Sequence, residues 1–197
     1  MKRLFIVAVM ILALTASASA QSTNTLGLKA GLNMFKWYGD DVEGIDYLTS
    51  FAFGAYFNHG FSEVLSIQPE LYYSTKGLSE SEILTIELKE SYLEIPVLLK
   101  VNFAMEGKNW SPNLFAGPYI AFLMSAKLED IDVKDELAGT DFGLVVGGGF
   151  DFGLSEGAQT LSLDVRYSMG FTKVDEAGEA EVFNNGFQFL VGFGFSM

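Results

Sequence analysis

Seven charged residues occupy alternate positions in segments that are otherwise largely apolar, and they are the residues most able to do chemistry. Arginine carries a planar guanidinium that pairs bidentately with carboxylates, and Arg166 is the only arginine after residue 20. We expect it to pair with Glu70, Glu94 or both. The set predicts an ion-pair network inside the fold, with a gate or a proton or substrate path as the functional alternative. Its members are Lys29, Glu70, Glu94, Lys100, Asp151, Asp164 and Arg166.

Catalytic interpretations of these residues are weaker. Two carboxylates such as Glu70 and Glu94 could hydrolyse a glycoside, but a network that fills its own interior leaves no room for substrate. The chain has one histidine, His59, which we predict in a short turn, and it has no cysteine. Catalysis by a metal bound to histidine and cysteine clusters, and thiol chemistry, are therefore excluded. We predict that the protein is not an enzyme and uses no cofactor.

Alternating strands must position the charged residues. In the last segment, Phe187, Phe189, Val191 and Phe193 share one parity, while the other parity is small or polar. Because side chains alternate faces along a strand, one face is continuously apolar. Similar alternation predicts eight strands, at 26–36, 49–58, 65–76, 89–103, 113–127, 140–152, 161–171 and 186–195.

Three prolines, Pro69, Pro96 and Pro118, fall inside these predicted strands. Proline cannot donate a hydrogen bond to a sheet ladder, so we expect β-bulges at these places.

The apolar face favours a membrane over water. After the first 20 residues, no segment has 18 or more uninterrupted apolar residues, which excludes a protein of several membrane helices. We predict an all-β fold, an eight-stranded antiparallel up-and-down transmembrane β-barrel, with its uncharged face toward lipid. A soluble lipocalin-like carrier, whose apolar face would line a cavity, is an alternative that the polar inward faces disfavour.

The N-terminus has the features of a secretory signal peptide. Lys2 and Arg3 precede an apolar run over residues 4–14, and Ala18 and Ala20 form an A-x-A cleavage site. We therefore predict a cleaved signal peptide over residues 1–20 and a barrel domain over residues 21–197.

Connections between the predicted strands alternate between longer and shorter. The longer ones follow strands 1, 3, 5 and 7 and hold most acidic residues, which is typical of extracellular loops, while short turns and both termini would be periplasmic. Trp37 and Trp110, at opposite ends, fit two interfacial girdles. The predicted acidic loop residues are Asp40, Asp41, Glu43, Asp46, Glu80, Glu82, Glu87, Glu129, Asp130, Asp132, Asp135, Glu136, Asp175, Glu176, Glu179 and Glu181.

The acidic loops raise the question of cation binding. Asp130, Asp132, Asp135 and Glu136 form the densest cluster, but it lacks the glycine and the spacing of an EF-hand loop. We expect a solvated acidic rim there. The net charge of −13 also disfavours nucleic acid as a partner.

Four strand motifs, in this order and spacing, resemble a known family. They are GLKAGLN at 27–33, QPELYYSTKG at 68–77, YLEIPVLLK at 92–100 and AGPY at 116–119. Together they resemble the small outer-membrane β-barrels called porin-family or PorT-like, which are common in Bacteroidota. The resemblance implies an eight-stranded barrel in the outer membrane and does not imply one function. The chain departs from the usual outer-membrane ending because it finishes in Met197 rather than phenylalanine.

These features predict a structural or partner-binding role in the cell envelope. Its partners would be outer-membrane lipid and an envelope protein at the acidic loops, and we expect a monomer. A narrow pore for small solutes or ions is the alternative function.

The cleavage site can be tested directly. N-terminal sequencing of the exported protein should begin at Gln21. Replacing Ala20 with arginine should block processing, since the position before the cut needs a small residue. Ser19→Arg, at the tolerant middle position, should still be cut, and equal processing of both variants would contradict the assignment.

Overall fold

The structure is a computed structural model that describes residues 23–39, 45–81, 85–129, 131–174 and 181–197. The predicted signal peptide lies outside the described residues. So do eight of the predicted loop acids: Asp40, Asp41, Glu43, Glu82, Asp130, Asp175, Glu176 and Glu179.

Eight long strands make up most of the described chain. A two-residue strand, Ile131–Asp132, pairs antiparallel with residues 127–128, and short 3-10 helices cover Lys134–Glu136 and Ser155–Gly157. No helix in the described part is long and apolar enough to span a membrane. The strands are β1 Asn24–Gly39, β2 Ile45–Gly60, β3 Leu65–Ser81, β4 Thr85–Asn102, β5 Trp110–Leu128, β6 Thr140–Leu154, β7 Gln159–Gly170 and β8 Val182–Ser196.

The sheet closes on itself. Each strand pairs antiparallel with its neighbours in sequence, and β1 pairs with β8 from Thr25 opposite Ser196 to Gly39 opposite Val182. Closure leaves no long strand with an open edge, as a lipid-embedded sheet requires. The predicted eight-stranded antiparallel barrel is confirmed.

Burial follows the predicted parity. On β7, Val165 is 49% exposed on the outer face, whereas Arg166 is 1% exposed and points into the lumen. On β8, Phe189 is 44% exposed while Gln188 is 1% exposed. The apolar face lies outside and the polar face inside, which excludes the lipocalin-like arrangement.

The strands at the end opposite the termini are longer than predicted. β3 continues to Ser81 and β4 begins at Thr85, so only residues 82–84 lie between them, and only 40–44 lie between β1 and β2. The predicted long loops after strands 1 and 3 are therefore wrong. Ladder hydrogen bonds do not depend on side-chain polarity, so the sheet continues beyond the apolar alternation, and Asp46 and Glu87 lie within strands.

The expected bulges are not at the prolines. Shifts of register occur between β2 and β3, across Tyr47 and Ala52, and between β4 and β5, across Ser91 and Tyr92. At Pro96 the β4–β5 register continues, with Tyr119 opposite. A proline thus removes an N–H without adding a residue, and the expected placement of bulges is wrong.

Side chains bridge the β2–β3 irregularity. The Ser50 hydroxyl donates to the carbonyl of Thr75 at 2.6 Å, and the Asn33 amide donates to the same carbonyl at 2.8 Å. Asn33 is fully buried. These bonds replace missing ladder bonds, because an unpaired buried backbone carbonyl is costly.

Glycines of β6 make room for aromatic rings on β5. Tyr119 lies opposite Gly143 and Phe115 lies opposite Gly147 in the β5–β6 register. A Cβ at Gly143 would stand 2.6 Å from Tyr119 Cε1, and one at Gly147 would stand 2.6 Å from Phe115 Cε2. The rings therefore lie against the barrel wall, which narrows the lumen at these levels.

The face assignment predicts the effect of a charge on the outer wall. Val165→Arg, in the middle of β7, should lower the free energy of unfolding by about 2–4 kcal/mol, because the guanidinium would enter hydrocarbon. Leu161→Arg, near the end of the same strand, should cost about 0–1 kcal/mol. Denaturant unfolding in lipid vesicles measures both, and equal losses would contradict the predicted depth.

Candidate functional site

Four charged side chains meet halfway along the lumen, and we call them the central quartet: Arg166, Glu70, Asp164 and Lys29. Arg166 on β7 forms a two-pronged bond with Glu70 on β3, the opposite strand, with Nη2 at 2.8 Å from Oε1. Its Nη2 also lies 3.0 Å from Asp164 Oδ2. Lys29 Nζ completes the set at 2.6 Å from Asp164 and 3.4 Å from Glu70. Two cations and two carboxylates cancel, as buried charges require.

Aromatic rings enclose the central quartet. The Arg166 guanidinium carbon lies 5.5 Å from the ring centre of Tyr72 and 5.3 Å from that of Phe115. Lys29 Nζ lies 4.7 Å from the centre of the Tyr56 ring. Such contacts attract a cation to the ring face. Rings and ion pairs together fill the cross-section, which in an eight-stranded barrel is just wide enough for side chains.

A second ionic layer lies on the side away from the termini. Lys76 Nζ stands 2.8 Å from Glu94 and 3.2 Å from Asp141, and the Tyr119 hydroxyl donates to Asp141 at 2.9 Å. Lys76 is fully buried, and its Nζ lies 4.4 Å from the centre of the Tyr119 ring. This layer links β3, β4, β5 and β6.

A buried carboxylate crosses the lumen above that layer. Glu90 on β4 accepts hydrogen bonds from Trp37 Nε1 at 2.9 Å, from the Tyr92 hydroxyl at 2.8 Å and from Asn184 Nδ2 at 2.8 Å. Asn184 belongs to β8, which stands opposite β4 in the closed order. Three donors to one carboxylate hold these two walls together without a cation.

An apolar cluster, which we call the cap, lies at the same end of the barrel. Leu137, Val174 and Val182 are at most 8% exposed and belong to one cluster with Leu123. The segments that carry them are bonded to one another, because Ala138 N–H donates to the carbonyl of Val174 at 2.8 Å and Val174 N–H donates to that of Val182 at 2.9 Å.

The rim of this cap carries a surface ion pair. Lys173 stands 2.7 Å from Glu181 outside the cap, and its hydrogen bond holds the pKa of the Glu181 carboxyl below the ordinary value.

The end nearer the termini is open. Lys100 pairs with Asp151 at 2.6 Å, and both line a cavity of about 400 Å³ that we call the vestibule. The central quartet lies deeper in the lumen. Within the part of the chain that the structure describes, the barrel is thus filled in its middle and toward the end away from the termini, and it is hollow at the other end.

All seven predicted residues lie inside the barrel, but not in one network. The structure divides them among three layers: Lys100 with Asp151, then the central quartet, then Glu94. Arg166 contacts Glu70 as expected, whereas Glu94 pairs with Lys76 and makes no ion pair with Arg166. Of the two partners considered for Arg166, the structure shows Glu70, because strand stagger sets Glu94 beside the next layer.

Three lumen residues escaped the sequence prediction: Lys76, Glu90 and Asp141. Each has the inward parity of its strand, so alternation alone could have identified them. All three lie within the predicted strands, at 65–76, 89–103 and 140–152, so the strand bounds did not hide them.

Two single residues lie differently from their predicted positions. Trp37 reaches inward to Glu90, so the predicted girdle position is wrong for it, while Trp110 packs against the outward ring of Phe150. His59 ends up in β2 instead of a turn, with Nδ1 at 2.7 Å from Asn24 Oδ1. Among the described residues, no group of three or more acidic or histidine side chains is placed to hold a metal ion.

A closed, outward-apolar barrel with a charged lumen defines the class of outer-membrane β-barrel proteins. The family model described as outer membrane protein beta-barrel domain matches residues 19–176. The chain belongs to this family, and the protein is an outer-membrane protein that contacts lipid through its outer face.

Solved structures of the same fold come from several bacteria. Neisserial surface protein A is 14% identical, with a TM-score of 0.57 over 88% of this chain and 98% of that one. Outer membrane protein W of E. coli is 11% identical, with a TM-score of 0.56 over 92% of this chain and 100% of that one. OprG of Pseudomonas aeruginosa is 14% identical, with a TM-score of 0.54 over 92% and 98%. At these identities the likeness shows the fold alone. Comparison with curated protein sequences finds no match.

The layers predict which lumen charges are coupled. Arg166→Ala should destabilise the barrel by about 3–5 kcal/mol, because it leaves buried carboxylates with less compensation. Adding Glu70→Gln should recover part of this loss. Adding Glu94→Gln instead should give losses that add within about 0.5 kcal/mol, because the two groups share no ion pair. Unfolding measurements of both double-mutant cycles test this, and additivity in the Glu70 cycle would mean that the central quartet does not act as a unit.

Proposed function

We propose that the protein is a closed structural barrel of the outer membrane that presents an acidic extracellular surface to a partner in the envelope or outside the cell. The observation that carries this proposal is the filled lumen. From the central quartet to the apolar cap, successive layers of buried side chains occupy the barrel.

The energetics of the layers support a static role. Arg166, Glu70, Lys76 and Glu94 are each at most 3% exposed and are held by ion pairs. Opening a water path would separate these pairs, and breaking a single buried pair typically costs about 3–5 kcal/mol. A barrel built this way therefore favours a rigid structural role over conduction.

The extracellular surface supports a role in binding. By the rule that places both termini in the periplasm, the cap faces the outside of the cell. Six acids are exposed around it, whereas the cap residues beneath are apolar. A partner with a basic surface would gain from this charge pattern through faster, salt-dependent association. The exposed acids are Asp46, Glu129, Asp132, Asp135, Glu136 and Glu181.

Three finer assignments belong to the same proposal. The strand motifs favour the PorT-like branch of outer-membrane barrels of Bacteroidota. The protein has no catalytic activity, because the buried carboxylates are engaged in ion pairs or hydrogen bonds. It acts as a monomer, because a barrel closed between β1 and β8 leaves no long strand edge for a second copy.

A narrow pore is the second candidate, and the vestibule favours it. Its polar walls resemble one mouth of a channel. Conduction would require Arg166 to leave Glu70 and the cap at Leu137 and Val174 to move. We therefore rank the pore below the structural role.

Conductance in planar bilayers separates the two functions. The wild-type protein should give no steady single-channel steps. The double variant Arg166→Gly/Tyr72→Ala should also stay closed, because the Lys76 layer and the cap remain beyond the central layer. Its folding is verified by the gel shift on boiling that intact barrels show. Steady conductance of the wild-type protein would overturn the closed-barrel proposal.

A further inference from the structure

The vestibule is a cavity whose walls are formed by polar side chains from several strands. It holds about 400 Å³ and is lined from several strands, including Asn58 on β2, Gln68 on β3, Asn102 on β4 and Asp151 on β6. Its volume is at the lower end of the range for small-molecule sites, which also occur in the mouths of β-barrels. It faces the periplasm when the termini lie there.

The polar walls are held in place from behind. Asn58 Nδ2 donates to Gln68 Oε1 at 3.1 Å and to the Ser66 hydroxyl at 3.0 Å, and Gln68 Nε2 donates to Glu70 Oε1 at 2.7 Å. Glu70 in turn is fixed by Arg166. This chain of bonds orients the amides before any ligand arrives, as precise binding sites require.

Two buried acceptors on the vestibule wall lack a partner. Asn102 Oδ1 and Asp151 Oδ1 make no hydrogen bond within the part of the chain that the structure describes. Across the β4–β5 ladder from Asn102, the side chain of Asn113 is 2% exposed, and neither atom of its amide group has a partner there. These atoms are covered by the wall, and the donors and acceptors that face the vestibule are the less buried amides and hydroxyls of its lining, which include Asn58, Asn102, Asn109, Ser111 and Thr160.

The charges of the vestibule cancel. Its charged lining residues are Lys100, Lys108, Glu63 and Asp151, two of each sign, and Lys100 is already paired with Asp151. A charged ligand would gain no net attraction and would lose its hydration. A neutral molecule whose groups both donate and accept hydrogen bonds matches the site, and hydroxyl groups do both.

We propose that the vestibule binds a small neutral polyhydroxylated solute, of the size of one or two sugar rings, from the periplasmic side. The amides and hydroxyls that line the vestibule, among them the amide of Asn102, exchange hydrogen bonds with its hydroxyl groups. This proposal goes beyond the structural role and does not depend on it, because the closed lumen is tested by conductance and the vestibule by binding.

The test uses the whole refolded barrel in detergent micelles, followed by NMR. Glucose and maltose serve as neutral probes, spermidine as a cationic probe and gluconate as an anionic one. Glucose or maltose should give saturable shifts confined to residues around Asn102 and Asp151. Asn102→Leu should weaken that binding by about fivefold or more, because an unpaired buried hydrogen-bonding group costs at least about 1 kcal/mol. The matched control Asn185→Leu, at the opposite end, should leave it unchanged.

A second measurement covers the case in which Asn102→Leu does not fold. The chain has no cysteine, so Asn102→Cys provides a single labelling site, and bound sugar should slow its reaction with a water-soluble maleimide. Non-saturating shifts with every probe would show that the vestibule holds water only and would overturn the proposal. Saturation by spermidine or gluconate but not by the sugars would overturn the neutral class of ligand.

Discussion

Every backbone N–H and C=O group that lies in hydrocarbon must be bonded within the protein, and the rest of this structure depends on that constraint. Pairing of β1 with β8 meets it by removing the long open edges. Closure then fixes which parity faces lipid and which faces the lumen. An inward side chain cannot reach bulk solvent through the wall, so charged residues such as Arg166 must find partners inside.

The charged side chains of the lumen find their partners in separate layers. Arg166 meets Glu70 from the opposite strand, Lys76 joins Glu94 and Asp141, and Glu90 is held by neutral donors alone. Each layer ties together strands that are not neighbours in the sheet. The interior therefore braces the wall in the direction that ladder hydrogen bonds do not cover.

Alternation in the sequence was enough to predict the fold and the inward position of the charged residues. It was not enough to predict partners. Whether Arg166 reaches Glu70 or Glu94 depends on the stagger between β3, β4 and β7, which no local pattern reports. Apolar alternation also ends where the membrane ends, while the sheet continues into water, and this explains why β3 and β4 extend beyond their predicted bounds. The predicted position of Trp37 rested on the general preference of tryptophan for membrane interfaces. In the structure its hydrogen bond to Glu90 holds the ring inside the lumen instead.

The unequal strand lengths have a consequence for how the molecule meets its surroundings. β5 has 19 residues and β7 has 12, and at about 3.3 Å per residue the difference is about 23 Å of strand. Because a membrane crossing takes only about 9–11 residues, the additional residues of β5 extend into water on one side of the barrel. Among the described residues, a molecule that approaches this end of the barrel therefore meets a flank of extended sheet on the β5 side rather than a level rim.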